Sequence, residues 1–98
     1  MTQNAYAVAQ AGGRHAGLLQ TYQGKSTREI QRAMRSYERQ VELHRQKMRH
    51  PEQFVEAWDQ KSSHAQRRLL RHWQDDLTRN QELAEVMRGI LQERESQP

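Results

Sequence analysis

Histidine is the side chain that exchanges a proton near neutral pH, and His15 directly follows Gly12, Gly13 and Arg14. A double glycine lets backbone approach a ligand closely. The Arg14 guanidinium suits a phosphate held beside the ring. The plainer reading is a surface histidine in a flexible loop. His44 is a second candidate, in a series otherwise filled by Ile30, Met34, Tyr37, Val41 and Met48. A polar group there must find a partner or lose its hydration. A satisfied core histidine meets that need. So does a seam that opens into a cleft, where Lys47, three residues on, adds an ammonium suited to a phosphodiester.

A histidine working on a phosphodiester needs a second proton-transfer group. Glu29 offers a carboxylate, although Ser26-Thr27-Arg28-Glu29 also reads as a capping box that uses Glu29 structurally. Glu29 and His44 are fifteen residues apart on one helix, about 22 Å, so they cannot serve one reacting atom. His15 must pair with one of them, and spacing alone leaves both open. Tyr22, Lys25 and Ser26 gather just before a helix start, where free N–H groups attract an anion. A capped turn explains them equally well. Arg28, Arg32, Arg35 and Arg39 form a stripe that either meets solvent or tracks a phosphate backbone. Trp58 and Trp73 read as packing residues, and Asn80 as a register device in a seam. His50, His64 and His72 lack zinc spacing, so neither a metal site nor a cofactor is expected.

The elements that position these residues are helices. Residues 2–11 read as a weak helix or frayed arm, broken by Gly12-Gly13, and residues 14–22 as two helical turns. From Ser26 the apolar steps of 4, 3, 4, 3 and 4 from Ile30 to Met48 predict a long helix ending at His50-Pro51. A short helix is expected over 51–58. A second box at Ser63-x-x-Gln66 opens another long helix, in which Leu70, Trp73, Leu77, Asn80, Ala84, Met87 and Leu91 share one face. It should fray after Leu91. The fold class is therefore all-α: a small bundle of two long antiparallel helices plus short flanking helices. Its parts are an arm or short helix at 1–13, a helical domain at 14–92 and a polar tail at 93–98.

Composition sets the limits. The chain has 98 residues, 34% of them apolar, which suits one thin-cored domain. With no cysteine, disulfides and thiol catalysis are excluded. No apolar run reaches the length of a membrane span, and no secretory signal opens the sequence. Residues 14–50 carry nine cations and three acids, net +6; residues 51–98 carry seven and nine, net −2. The basic first half points to a polyanionic partner.

The ordered string GGRHAG at 12–17, Tyr22, GKSTREI at 24–30, ELHRQKM at 42–48, Pro51, LLRHWQDDL at 69–77 and MRGIL at 87–91 adds a resemblance. Over about residues 11–92 it resembles the all-helical C-terminal toxin domains of bacterial polymorphic and contact-dependent inhibition toxins, the type-28 class. The resemblance implies a metal-independent ribonuclease, tRNA among its substrates, centred on the histidine of Gly12-Gly13-x-His15. It implies attack of a ribose 2′-OH on phosphorus, delivery within a larger effector, action in the target-cell cytoplasm, and a cognate acidic immunity protein. Relatives carry an acid one turn after the histidine, where this chain has Leu18; Glu29 or His44 is then the expected partner. Arg14, Tyr22, Lys25 and Lys47 are the expected phosphate contacts. The ESQP tail lacks a Gly-Tyr-Gly-Ile ending, so no host activator is carried over. The rival expectation is a non-catalytic helical module that binds protein or nucleic acid.

Overall fold

The computed structural model describes residues 4–97. Residues 1–3 of the expected arm and Pro98 of the expected tail lie outside them. The elements are α1 (Ala5–Gln10), α2 (Ala16–Gln23), α3 (Thr27–Arg49) and α4 (Ser63–Glu95), with 3-10 turns at Pro51–Gln53 and Trp58–Gln60. No strand occurs among the described residues. α3 and α4 pack antiparallel as the main body of an elongated bundle, 58 × 27 × 22 Å.

α3 begins where the sequence places it. Ser26 is extended, and its Oγ accepts the Glu29 N–H at 3.1 Å, satisfying one of the helix's free donors. His50 leaves helical geometry (φ −134°, ψ 61°), as a residue before proline must. Ile30, Val41 and His44 are buried on the face toward α4. α4 supplies Trp73, Leu77, Asn80, Ala84 and Met87 in return. Asn80 stays within its own helix, donating Nδ2–H to the Asp76 carbonyl at 2.8 Å, and so is buried without reaching across the seam.

Three boundaries differ from the sequence expectation. The cap of α4 is Ser62, whose Oγ accepts the Ala65 N–H; Gln66, freed from a box, donates to the Trp58 carbonyl at 2.9 Å. The segment 51–58 forms no continuous helix, because Ala57 turns left-handed at φ 56°. It serves instead to seat Trp58 on Trp73, ring centroids 6.0 Å apart. At the far end α4 continues to Glu95 rather than fraying after Leu91. Arg94 donates to Thr27 Oγ1 and to the Gln23 and Lys25 carbonyls at 2.8–3.2 Å, tying the last turn to the α2–α3 junction.

The densest packing lies at that end. Leu19 of α2, Ala9 of α1, Ile30 of α3 and Val86, Met87 and Ile90 of α4 form one buried cluster. Truncating any of the large members to alanine should cost about 2–5 kcal/mol. Among the described residues, no helix is long and apolar enough to cross a membrane.

Candidate functional site

α1 is held against α4 by a close approach that only glycine permits. A Cβ on Gly89 would collide with the Tyr6 ring carbon Cγ. The ring therefore rests on bare backbone, and its hydroxyl donates to Glu93. The Ala5 N–H donates to Glu85 Oε2 at 3.0 Å. Burial, then the Glu93 hydrogen bond and charge, push the Tyr6 phenol up to about 12.

The double glycine then turns the chain back. Gly12 takes φ 90° and donates to the Ala9 carbonyl, and Gly13 donates to the Val8 carbonyl. This pair of bonds is a Schellman cap. A Cβ on Gly13 would lie 2.8 Å from Val8 Cγ1. Both glycines thus serve a tight, packed turn rather than a loosened ligand loop. His15 follows at φ 70°, left-handed, and is the residue preceding α2. A non-glycine residue held there stores about 1–3 kcal/mol, a feature concentrated at functional sites.

The strain delivers the ring to α4. His15 Nε2 lies 3.0 Å from Glu82 Oε1, and the same carboxylate oxygen is 2.9 Å from Arg14 Nε. Arg14 Nε also lies 3.3 Å from His15 Nε2. That N–H donates to the ring nitrogen, while Glu82 Oε1 pairs with the guanidinium charge; toward Glu82 the ring donates when Nε2 carries a proton. The His15 side chain is 14% exposed and that of Glu82 28%, so the pair is sheltered yet reachable. Asn4, Ala5, Val8, Arg14, His15, Glu82 and Glu85 line a cleft of about 450 Å³.

The expected partners of His15 are elsewhere. Glu29 is exposed at the start of α3, where its backbone completes the Ser26 cap. His44 has its own partners: its ring Nδ1 lies 2.6 Å from the Gln40 carbonyl, and Nε2 lies 3.5 Å from Asp76 Oδ2. Asp76 is shared with His72 and Arg79. Six residues separate Asp76 from Glu82 on α4, about 9 Å along the axis and 120° around it. The two histidines therefore serve two separate carboxylates, and His44 is a satisfied seam histidine.

Of the expected phosphate contacts, Arg14 alone lines the His15 cleft. Tyr22 and Lys25 lie at the opposite end of α2, the lysine Nζ 5.7 Å from the Tyr22 ring centroid. Burial, then the neighbouring Tyr22 hydroxyl, push the Tyr37 phenol up to about 12. Lys47 lies one turn beyond His44, farther still from Glu82. The stripe Arg28, Arg32, Arg35 and Arg39 is exposed on the outer side of α3, about 160° from its seam face. Glu82 lies on the side of α4 turned away from α3, so stripe and cleft face different ways.

Glu82 and Glu85 were missed from the sequence. The available signal was that apolar residues from Leu83 to Leu91 wrap α4 well beyond one face. A second covering layer was implied there, with those two acids at its edge. Among the described residues, no three His, Cys, Asp or Glu side chains are placed to hold a metal ion. No protein-family model, curated protein or solved structure matches the chain.

Proposed function

We propose that the chain is a ribonuclease toxin domain whose active pair is His15 and Glu82. The observation that carries this reading is the 3.0 Å contact of an imidazole and a carboxylate beside Arg14, at the wall of an open cleft. In ribonucleolysis by internal transfer, the Glu82 carboxylate takes the proton from a ribose 2′-OH. The O2′–P bond forms and the P–O5′ bond breaks. Protonated His15 gives Nε2–H to the departing O5′, leaving a 2′,3′-cyclic phosphate and a 5′-hydroxyl. Arg14 stabilises the charge that builds on the phosphoryl oxygens. The residue types needed are all present without a metal ion or cofactor. The resemblance supports the rest of the reading: delivery in a larger effector, action on RNA such as tRNA in a target cell, and neutralisation by an acidic immunity protein.

The test is inducible expression in bacteria with total RNA resolved on a gel, followed by purified protein on RNA in EDTA. Wild type should cleave, with cyclic phosphate at the new ends. His15→Ala should lose about 10²–10⁴-fold in rate while keeping its helicity. Undiminished cleavage by that variant, or none by wild type, would remove the proposal.

A further inference from the structure

The mildly acidic half of the chain contains a cationic face that its net charge conceals. His64, Arg68, Arg71, Asp75, Thr78 and Glu82 recur along α4 at steps of 4, 3, 4, 3 and 4. They therefore share one stripe, about 27 Å long. Arg67 and His72 flank it, and both border one open hollow together with His64, Arg68, Arg71 and Asp75. This stripe lies opposite the Trp73–Leu77–Asn80–Ala84–Met87 seam, so α3 does not cover it. α1 and α2 cover the same side of α4 only from Glu82 onward, through the His15–Glu82, Ala5–Glu85 and Tyr6–Glu93 contacts. All positions from His64 to Asp75 on the stripe are exposed. The bare cationic face thus ends against the step where the His15 cleft begins.

We infer that this face of α4 is the approach track for the RNA strand, with Arg67, Arg68 and Arg71 holding backbone phosphates that lead to His15; the inference rests on the ribonuclease reading for its endpoint. Among the described residues, those three arginines take part in no ion pair, and the same holds for Arg28, Arg32, Arg35 and Arg39, so it is position beside the cleft that sets the α4 face apart. Free guanidinium groups match phosphate oxygens two at a time. Asp75 is the single acid of the hollow, and it lies between the arginines and Glu82. The charge is therefore graded toward the cleft and does not continue through it. The Arg28–Arg39 stripe has similar charge but faces away from the cleft, which makes it the natural comparison.

The experiment uses a 20-nucleotide mixed-sequence RNA bearing 2′-O-methyl groups, which cannot be cleaved by internal attack. Binding is followed by anisotropy against salt and by NMR of the histidine ring protons. Wild type should show RNA-induced shifts at His72 and His15. The R67Q/R68Q/R71Q variant should lose both shifts. Its slope of log affinity against log salt should fall by about 2, as expected for three phosphates on a single strand. The R32Q/R35Q/R39Q variant should keep both ring shifts. Retention of the shifts and slope in the α4 variant would overturn the track, as would an RNA that binds wild type without touching His72. The second result would leave an acidic protein as the partner of this face. If wild type cleaves no natural RNA yet shows the α4-dependent shifts, the track stands and the ribonuclease reading fails. Circular dichroism of both variants checks that these exposed changes leave the fold intact.

Discussion

His15 Nε2 and Glu82 Oε1 lie 3.0 Å apart across 67 residues of sequence. That contact depends on a capped glycine turn, a left-handed histidine and a carboxylate at the edge of a helical second layer. If the two groups act as one proton-transfer unit, removing them must not be additive. H15A and E82Q should each lower RNA cleavage by about 10²–10⁴-fold. The double variant should fall no more than about tenfold below the worse single, in single-turnover rates. Independent, multiplying losses would show that the residues act separately.

The left-handed backbone at His15 gives a prediction about stability. Alanine at this position keeps φ near 70° and therefore keeps the strain, whereas glycine adopts it freely. Both variants lose the imidazole and its bond to Glu82, so that loss cancels between them. H15G should therefore be more stable than H15A by about 1 kcal/mol in urea unfolding, with both inactive. Equal stabilities would mean that the backbone relaxes once the ring is gone.

The long helices were legible because their signals are local. The Ser26 cap, the 3–4 apolar rhythm and His50-Pro51 each depend on residues within a turn or two, and α3 follows them closely. His15 was legible as a type of residue in a marked place. Its partner was not, since Glu82 reaches it only after α1 and α2 fold back over α4. Glu29 and His44 both lie on α3, where the apolar rhythm and the Ser26 cap mark them, and neither meets His15. Wheel arithmetic cannot tell which helix covers a second face. The end of α4 has the same origin: Arg94 reads as a tail residue in sequence, and the α2–α3 carbonyls that hold it come beside it only in the fold.

Gly89 predicts how the cleft wall is attached. A methyl group there would collide with the Tyr6 ring, yet the α3–α4 seam lies on another side of the helix. G89A should unseat α1 and leave the long helices folded. Hydrogen exchange should show faster exchange confined to residues 5–13, and RNA cleavage should drop at least tenfold as the cleft loses Ala5 and Val8. Adding Tyr6→Ala removes the obstructing ring, so the double variant should melt higher than G89A alone. A lower melting point for the double would place the defect elsewhere.

Two half-buried phenols make alkaline pH a probe of the same end of the bundle. Tyr6 and Tyr37 are both raised from 10.0 to about 12, burial being the larger cause in each. Between those values the folded chain keeps protons that the unfolded chain has released. Stability is therefore fully present below pH 10 and falls as pH rises toward 12. Thermal melting from pH 8 to 12 should show that decline. Y6F should lower the melting point at pH 8, because the bond to Glu93 is lost, but should flatten the decline above pH 10. An unchanged alkaline slope in Y6F would mean that Tyr6 ionises freely.

The two histidine–carboxylate pairs provide an internal control. His44 is buried, with Nδ1 close to the Gln40 carbonyl and Nε2 toward Asp76, and those partners account for it structurally. H44L fills the same volume with apolar atoms but leaves the Gln40 carbonyl and Asp76 one partner short. It should cost about 1–3 kcal/mol of stability. Well below its melting temperature, its RNA cleavage should stay within about threefold of wild type, because nothing at His15, Arg14 or Glu82 has changed. D76N should behave likewise. A loss of a hundredfold or more in folded H44L would mean that the seam histidine, and not His15 alone, reaches the reacting phosphate; the 9 Å between the two carboxylates along α4 argues that it does not.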